Sequence, residues 1–199
     1  MNNLALRVIF IYIIYSLIND ILIFILAAAK TDLSIPLSLF TLIEYSLFSL
    51  YYYFLIDSRK FKRFVYLISI PFYAVVLLNF FFLGRSKQFD ALPASAEAFI
   101  IIIYCIYYFY EQLNKPQVTF IYSTFHFWIS IGIFIYMAGT FVLFVQSSML
   151  SDNERNNFWI INLISNILKN ILFSISFIIP SKPSNNSMHK PYDKALNVT

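Results

Sequence analysis

Six apolar blocks, each long enough to cross a bilayer and parted by short polar breaks, govern what this chain can fold into. About 20 apolar residues in a helix span a hydrocarbon core. The blocks predict spanning helices over 4–29, 34–56, 61–83, 93–113, 120–146 and 157–180. The breaks read "KTDLSIP", "DSRKFKR", "GRSKQFDALP", "EQLNKPQ" and "SSMLSDNERNN". The chain is 60% hydrophobic and 12% charged, against about 25% charged residues in soluble domains. A water-soluble fold of 199 residues has too little interior to hide that much apolar surface. The expected fold class is therefore all-α, a polytopic transmembrane bundle of about six helices over 1–180. The tail 181–199, "SKPSNNSMHKPYDKALNVT", is polar and proline-containing and reads as a disordered cytoplasmic segment. "VIFIYIIYSLINDILIFILAAA" is too long for the apolar core of a signal peptide and reads as the first spanning helix. No soluble domain and no internal repeat is read from the sequence.

The net charge of +4 does not point to nucleic acid, because the basic residues sit in loops between apolar blocks. Their placement speaks to topology instead. Arg59, Lys60, Lys62, Arg63, Lys115, Lys182, Lys190 and Lys194 fall on one side; Lys30, Arg85, Lys87 and Arg155 fall on the other. By the positive-inside rule, the richer side is cytoplasmic. The expectation is a multipass protein of the cell inner (cytoplasmic) membrane with both termini cytoplasmic, resting mainly on "DSRKFKR". The single cysteine, Cys105, allows no internal disulfide and reads as a packed residue. The abundance of Tyr and Phe reads chiefly as the composition of an AT-rich genome.

Ionisable groups deep in a membrane are costly and usually face the bundle interior with a partner. Four stand out: Asp20, Glu44, Glu97 and Lys169. At about 1.5 Å rise per residue, Asp20, Glu44 and Lys169 lie about 14, 15 and 18 Å from the outer ends of their helices. Glu97 is shallower, at about 6 Å. Lys169 is expected to pair with Glu44, with Asp20 as the competing partner. Asn162, Ser165, Asn166 and Lys169 follow i, i+3, i+4, i+7 spacing and draw a polar stripe along one helix face. Leu163 and Ile167 fall on another face. Asn19 and Asn79 extend the polar layer; Thr41, Glu44, Phe48 and Tyr51 share one face, and Glu97, Ile101, Tyr104, Tyr108 and Glu111 share another. The candidate binding or charge-pair residues are Asp20, Glu44, Glu97, Asn162, Asn166 and Lys169, around an outward-facing, aromatic-lined pocket. The competing reading makes the same side chains structural glue between helices.

Other features read as architecture. Pro71 removes a backbone donor from the third helix and predicts a kink. Gly132 and Gly139, seven apart on the fifth helix, predict a close helix approach. His126, beside Phe127 and Trp128, reads as a packed residue. No HExxH or CxxC spacing occurs, so no metal is expected, and no cofactor.

The segments "TLIEYSLFSLYYYF", "LPASAEAF…YYFYEQL", "FHFWISIGIFIYMAGT" and "NFWIINLISNILKNILF" resemble a group of small, uncharacterised multipass bacterial membrane proteins with a seven-helix plan. The resemblance covers most of 12–180 and implies no particular activity. It implies that this chain begins at the second helix of that plan. A lysine midway along a last helix is also similar to that of retinal proteins, where it forms a Schiff base opposite a carboxylate such as Glu44 or Asp20. No other rhodopsin-like motif accompanies it, and six helices is one too few.

These observations order the functions. A small sensory or ligand-binding membrane protein comes first, with the lipid bilayer as solvent, a small-molecule ligand and a cytoplasmic protein partner. A transporter or channel for a small solute or proton comes second, although broken helices and a repeated half are not evident. An intramembrane enzyme using Glu44 or Asp20 as base lacks a recognisable nucleophile or metal. A structural subunit of a membrane complex stands as the alternative without a ligand.

Overall fold

The computed structural model describes residues 3–31, 33–79, 91–114, 122, 124–146 and 152–178, with side chains from Leu4 and, in the last helix, from Ile160. Among these residues there are six α-helices and no strand: α1 (Asn3–Ala28), α2 (Ser34–Leu55), α3 (Arg59–Leu78), α4 (Ala91–Leu113), α5 (Phe125–Gln146) and α6 (Asp152–Ile178). Every one contains a stretch long and apolar enough to cross a membrane. Helices suit that solvent because each closes its own backbone hydrogen bonds, which lipid cannot satisfy. The protein is thus a multipass all-α membrane bundle.

The exposed surface agrees with the solvent. Phe24, Leu17, Leu67, Ile106 and Ile178 are large, apolar and exposed, and α1 carries such residues along most of its length. In water so continuous a patch would drive association; in a bilayer it is the lipid-facing wall.

Helix ends differ from the hydropathy expectation where polar chemistry continues or stops a helix outside the lipid. α6 starts at Asp152 rather than 157. Hydropathy marks the lipid crossing, whereas a helix can continue its backbone ladder into water. α5 starts at Phe125 rather than 120, after a tight turn in which Phe127 N–H bonds the carbonyl of Thr124. Trp128 fixes the same turn by donating its indole N–H to the Tyr122 carbonyl at 2.9 Å. α3 begins at Arg59 because Ser58 caps it, its hydroxyl accepting from Phe61 N–H. α3 is regular helix to Leu78 with Pro71 inside it; positions 80–83 of the expected span and the tail 181–199 lie outside the described residues.

The closely packed pairs are α1 with α2, α2 with α4, α4 with α5 and α5 with α6, while α3 sits against α2 and α4. α5 and α6 approach most intimately, and the two glycines explain why. A Cβ on Gly132 would come within 3.1 Å of the Phe173 ring and 3.3 Å of the Lys169 carbonyl, and one on Gly139 would fall on the Ser165 hydroxyl. The close-approach reading of these glycines holds. α1 and α6 meet through side chains instead: Lys169 bonds Tyr12, and the Tyr12 and Phe173 rings stand edge to face at 6.3 Å. The result is a ring of α1, α2, α4, α5 and α6 with α3 outside it.

Candidate functional site

Inside that ring lies a cavity of about 440 Å³. Asp20, Glu44, Glu97, Asn162, Asn166 and Lys169 all line it, brought together from four helices. Tyr136, Thr140 and Phe144 add the α5 wall; Ser16, Asn19, Phe40 and Thr41 complete much of the rest. α3 contributes nothing, so Asn79, expected to extend the polar layer, is buried at the end of α3 away from the cavity lining.

The lining residues occupy one half of the bundle. They are the C-terminal halves of α1 and α5, the N-terminal halves of α2 and α4, and the middle of α6 from Asn162 to Lys169. One turn deeper, every wall becomes apolar. Ile9, Phe48, Ile101, Ile133 and Phe173 lie three or four residues from Tyr12, Glu44, Glu97, Tyr136 and Lys169 and are all 3% exposed or less. They belong to one packed core and form a floor beneath the cavity. Phe48 packs directly under the bridge, its ring 4.3 Å from that of Tyr12. Beyond the floor is a second layer rich in hydroxyls. There Tyr51 shares a 3.2 Å hydrogen bond with Nδ1 of His126, and Tyr52 meets the Cys105 thiol at 3.0 Å. His126 and Cys105 are packed residues, as expected.

Lys169 is 1% exposed and does not stand alone. Its ammonium donates to the Tyr12 hydroxyl at 2.6 Å, and that hydroxyl donates to Glu44 Oε1 at 2.7 Å. The polarity is dictated by chemistry: an ammonium only donates, a carboxylate only accepts, and a phenol does both. Tyr136 donates to the other carboxylate oxygen, Oε2, at 3.3 Å. The face of the Tyr136 ring covers the ammonium at 4.1 Å from its centroid, within cation–π range. Of the two expected partners, Glu44 is the one linked to Lys169, through the Tyr12 hydroxyl. Asp20, the expected competitor, is exposed and acts on Lys169 as a nearby charge.

Glu97 differs. It is 3% exposed, its charged neighbour is Glu44, and its Oε1 has no hydrogen-bond partner among the described residues. The buried Oδ1 of Asn166 is unpartnered in the same sense. Asn162 accepts from Thr140 at 3.3 Å. Of the polar stripe on α6, Asn162, Asn166 and Lys169 line the cavity, while Ser165 turns to Gly139. Leu163, expected on another face, also lines the cavity.

Sequence reasoning missed Tyr12 and Tyr136. Both carried a signal: Tyr12, Ser16 and Asn19 follow i, i+4, i+7, and Tyr136 and Thr140 follow i, i+4, so each marks a polar stripe on an otherwise apolar helix. Among the described residues no group of three His, Cys, Asp or Glu converges as a metal site would require. Comparison with family models, curated proteins and solved structures finds no match to the chain.

Proposed function

We propose that this membrane protein binds a small molecule in the cavity, as a sensory or ligand-binding protein, with the cavity open to the outer side and both termini cytoplasmic. The observation that carries the reading is Glu97, a buried residue on the wall of a cavity of about 440 Å³, whose Oε1 has no hydrogen-bond partner among the described residues. A bundle that used its polar groups only as glue would close them on one another, as Lys169, Tyr12 and Glu44 do. The volume falls within the usual 300–1,000 Å³ of small-molecule sites. The apolar floor favours binding over an open pore, since nothing polar leads through it. A sensor of this kind passes its signal to a protein partner on the cytoplasmic side.

Native mass spectrometry of the purified protein tests the reading. A retained small molecule is expected, and it should be lost from Ala94→Leu, which fills the cavity one turn from Glu97. Retention unchanged in that variant would place the molecule elsewhere. Flux of a retained solute in proteoliposomes would turn the reading to transport.

A further inference from the structure

Resting on the binding reading, we infer that the ligand is a small organic cation, an ammonium-bearing molecule with an apolar body, whose charged end bonds Glu97. Much of the charge in the cavity is already satisfied. Glu44 has both oxygens engaged, Oε1 by Tyr12 and Oε2 by Tyr136. Lys169 is bonded to Tyr12 and covered by the Tyr136 ring, so this cation and this anion complete each other across one hydroxyl. What is left to meet a ligand is acidic: Glu97, buried, and Asp20, exposed.

The unmatched hydrogen-bonding groups point the same way. Two residues that line the cavity each carry a buried oxygen without a partner among the described residues, Glu97 Oε1 and Asn166 Oδ1, and both oxygens are acceptors. The amide of Asn166 can turn its other end inward, but an ionised carboxylate offers acceptors alone. A ligand that completes the site must bring donors, and one that neutralises it must bring positive charge. Burying an isolated carboxylate is costly, and a charge-assisted hydrogen bond relieves that cost. The remaining walls suit an organic rather than a metal cation. Phe40, Phe144 and Ile23 give apolar surface, and the carboxylates do not converge as metal ligands.

The test uses three matched probes on the purified full chain: 2-phenylethylamine as the cation, 2-phenylethanol as its neutral counterpart and 3-phenylpropanoate as the anion. Binding is read by thermal shift and equilibrium dialysis. The amine should bind in preference to both others. Glu97→Gln should weaken it by about tenfold or more, the scale of a lost charge-assisted hydrogen bond, while Glu97→Asp should retain part of the affinity. Without probe, Glu97→Gln should melt at the same temperature as the parent or higher, because it removes a buried acid that has no partner for its Oε1. Preference for the alcohol or the propanoate would overturn the cation while leaving small-molecule binding intact. Amine binding that ignores Glu97→Gln would overturn the assignment of Glu97, and failure of all three probes to bind would also overturn the cation. If the last result came with no retained molecule in the native spectrum, the binding reading would fall too. A lower melting temperature for Glu97→Gln without probe would show a structural partner for Glu97 and would sink the inference on its own.

Discussion

Tyr12 is the residue on which the buried charges depend. Its hydroxyl accepts from Lys169 and donates to Glu44, so neither charged group needs to reach the other. Tyr12→Phe keeps the ring and its packing on Phe48 but removes both bonds. Hydrogen bonds to charged groups contribute about 1.5–3 kcal/mol each, and a buried charge left without its partner costs more. Tyr12→Phe should therefore lower the melting temperature about as much as Lys169→Met or Glu44→Gln. The three changes should be strongly non-additive, the triple variant recovering much of the loss. A direct Lys169–Glu44 pair would instead leave Tyr12→Phe nearly silent in the same thermal melts.

At the scale of elements, α5 and α6 are held together by the absence of side chains. Gly139 lets Ser165 pack against its backbone, and Gly132 does the same for Phe173. Gly139→Ala should destabilise the bundle by about 1–3 kcal/mol, the usual cost of overpacking. Ser165→Gly in that background should restore most of the loss by vacating the space, and a failure to restore it would mean that the two helices are not in contact there. The same pair of helices shows what could be read in advance. Hydropathy located all six helices, because a 20-residue apolar requirement leaves few alternatives. Asn162, Asn166 and Lys169 were legible because a polar residue in an apolar helix is conspicuous. Ser165 was on the same stripe yet serves packing, since i+3 spacing assigns a side to a residue but not a neighbour. Tyr12 and Tyr136 were harder to see: tyrosine is so common here, 15 residues in all, that composition hid the two whose hydroxyls matter. Charge alone pairs Lys169 with Glu44 but does not say which hydroxyl stands between them.

Across the whole molecule, the layers run from polar cavity to apolar floor to hydroxyl-rich interior. Ring closure between α1 and α6 depends on side chains from both ends of the chain, so the cavity exists only when the full bundle is assembled. By the positive-inside rule, the loop charges predict "DSRKFKR" and the C-terminus on the cytoplasmic face. Reporters fused after Thr199 and within "DSRKFKR" should both read as cytoplasmic, and an external location for either would reverse the orientation. The central claim is that the cavity holds water and opens at the end bearing the α5–α6 loop. Single cysteines at 162, 166, 167 and 171, in a Cys105→Ser background, test it most directly. Asn162 and Asn166 line the cavity, whereas Ile167 and Ile171 are exposed on the lipid-facing side of the same helix. Thiols react as thiolates, which water supports and lipid suppresses. Cysteines at 162 and 166 should label with a membrane-impermeant thiol reagent applied on the side of the α5–α6 loop, and those at 167 and 171 should not. Silence at 162 and 166, or equal labelling at all four positions, would contradict a water-filled cavity in this bundle.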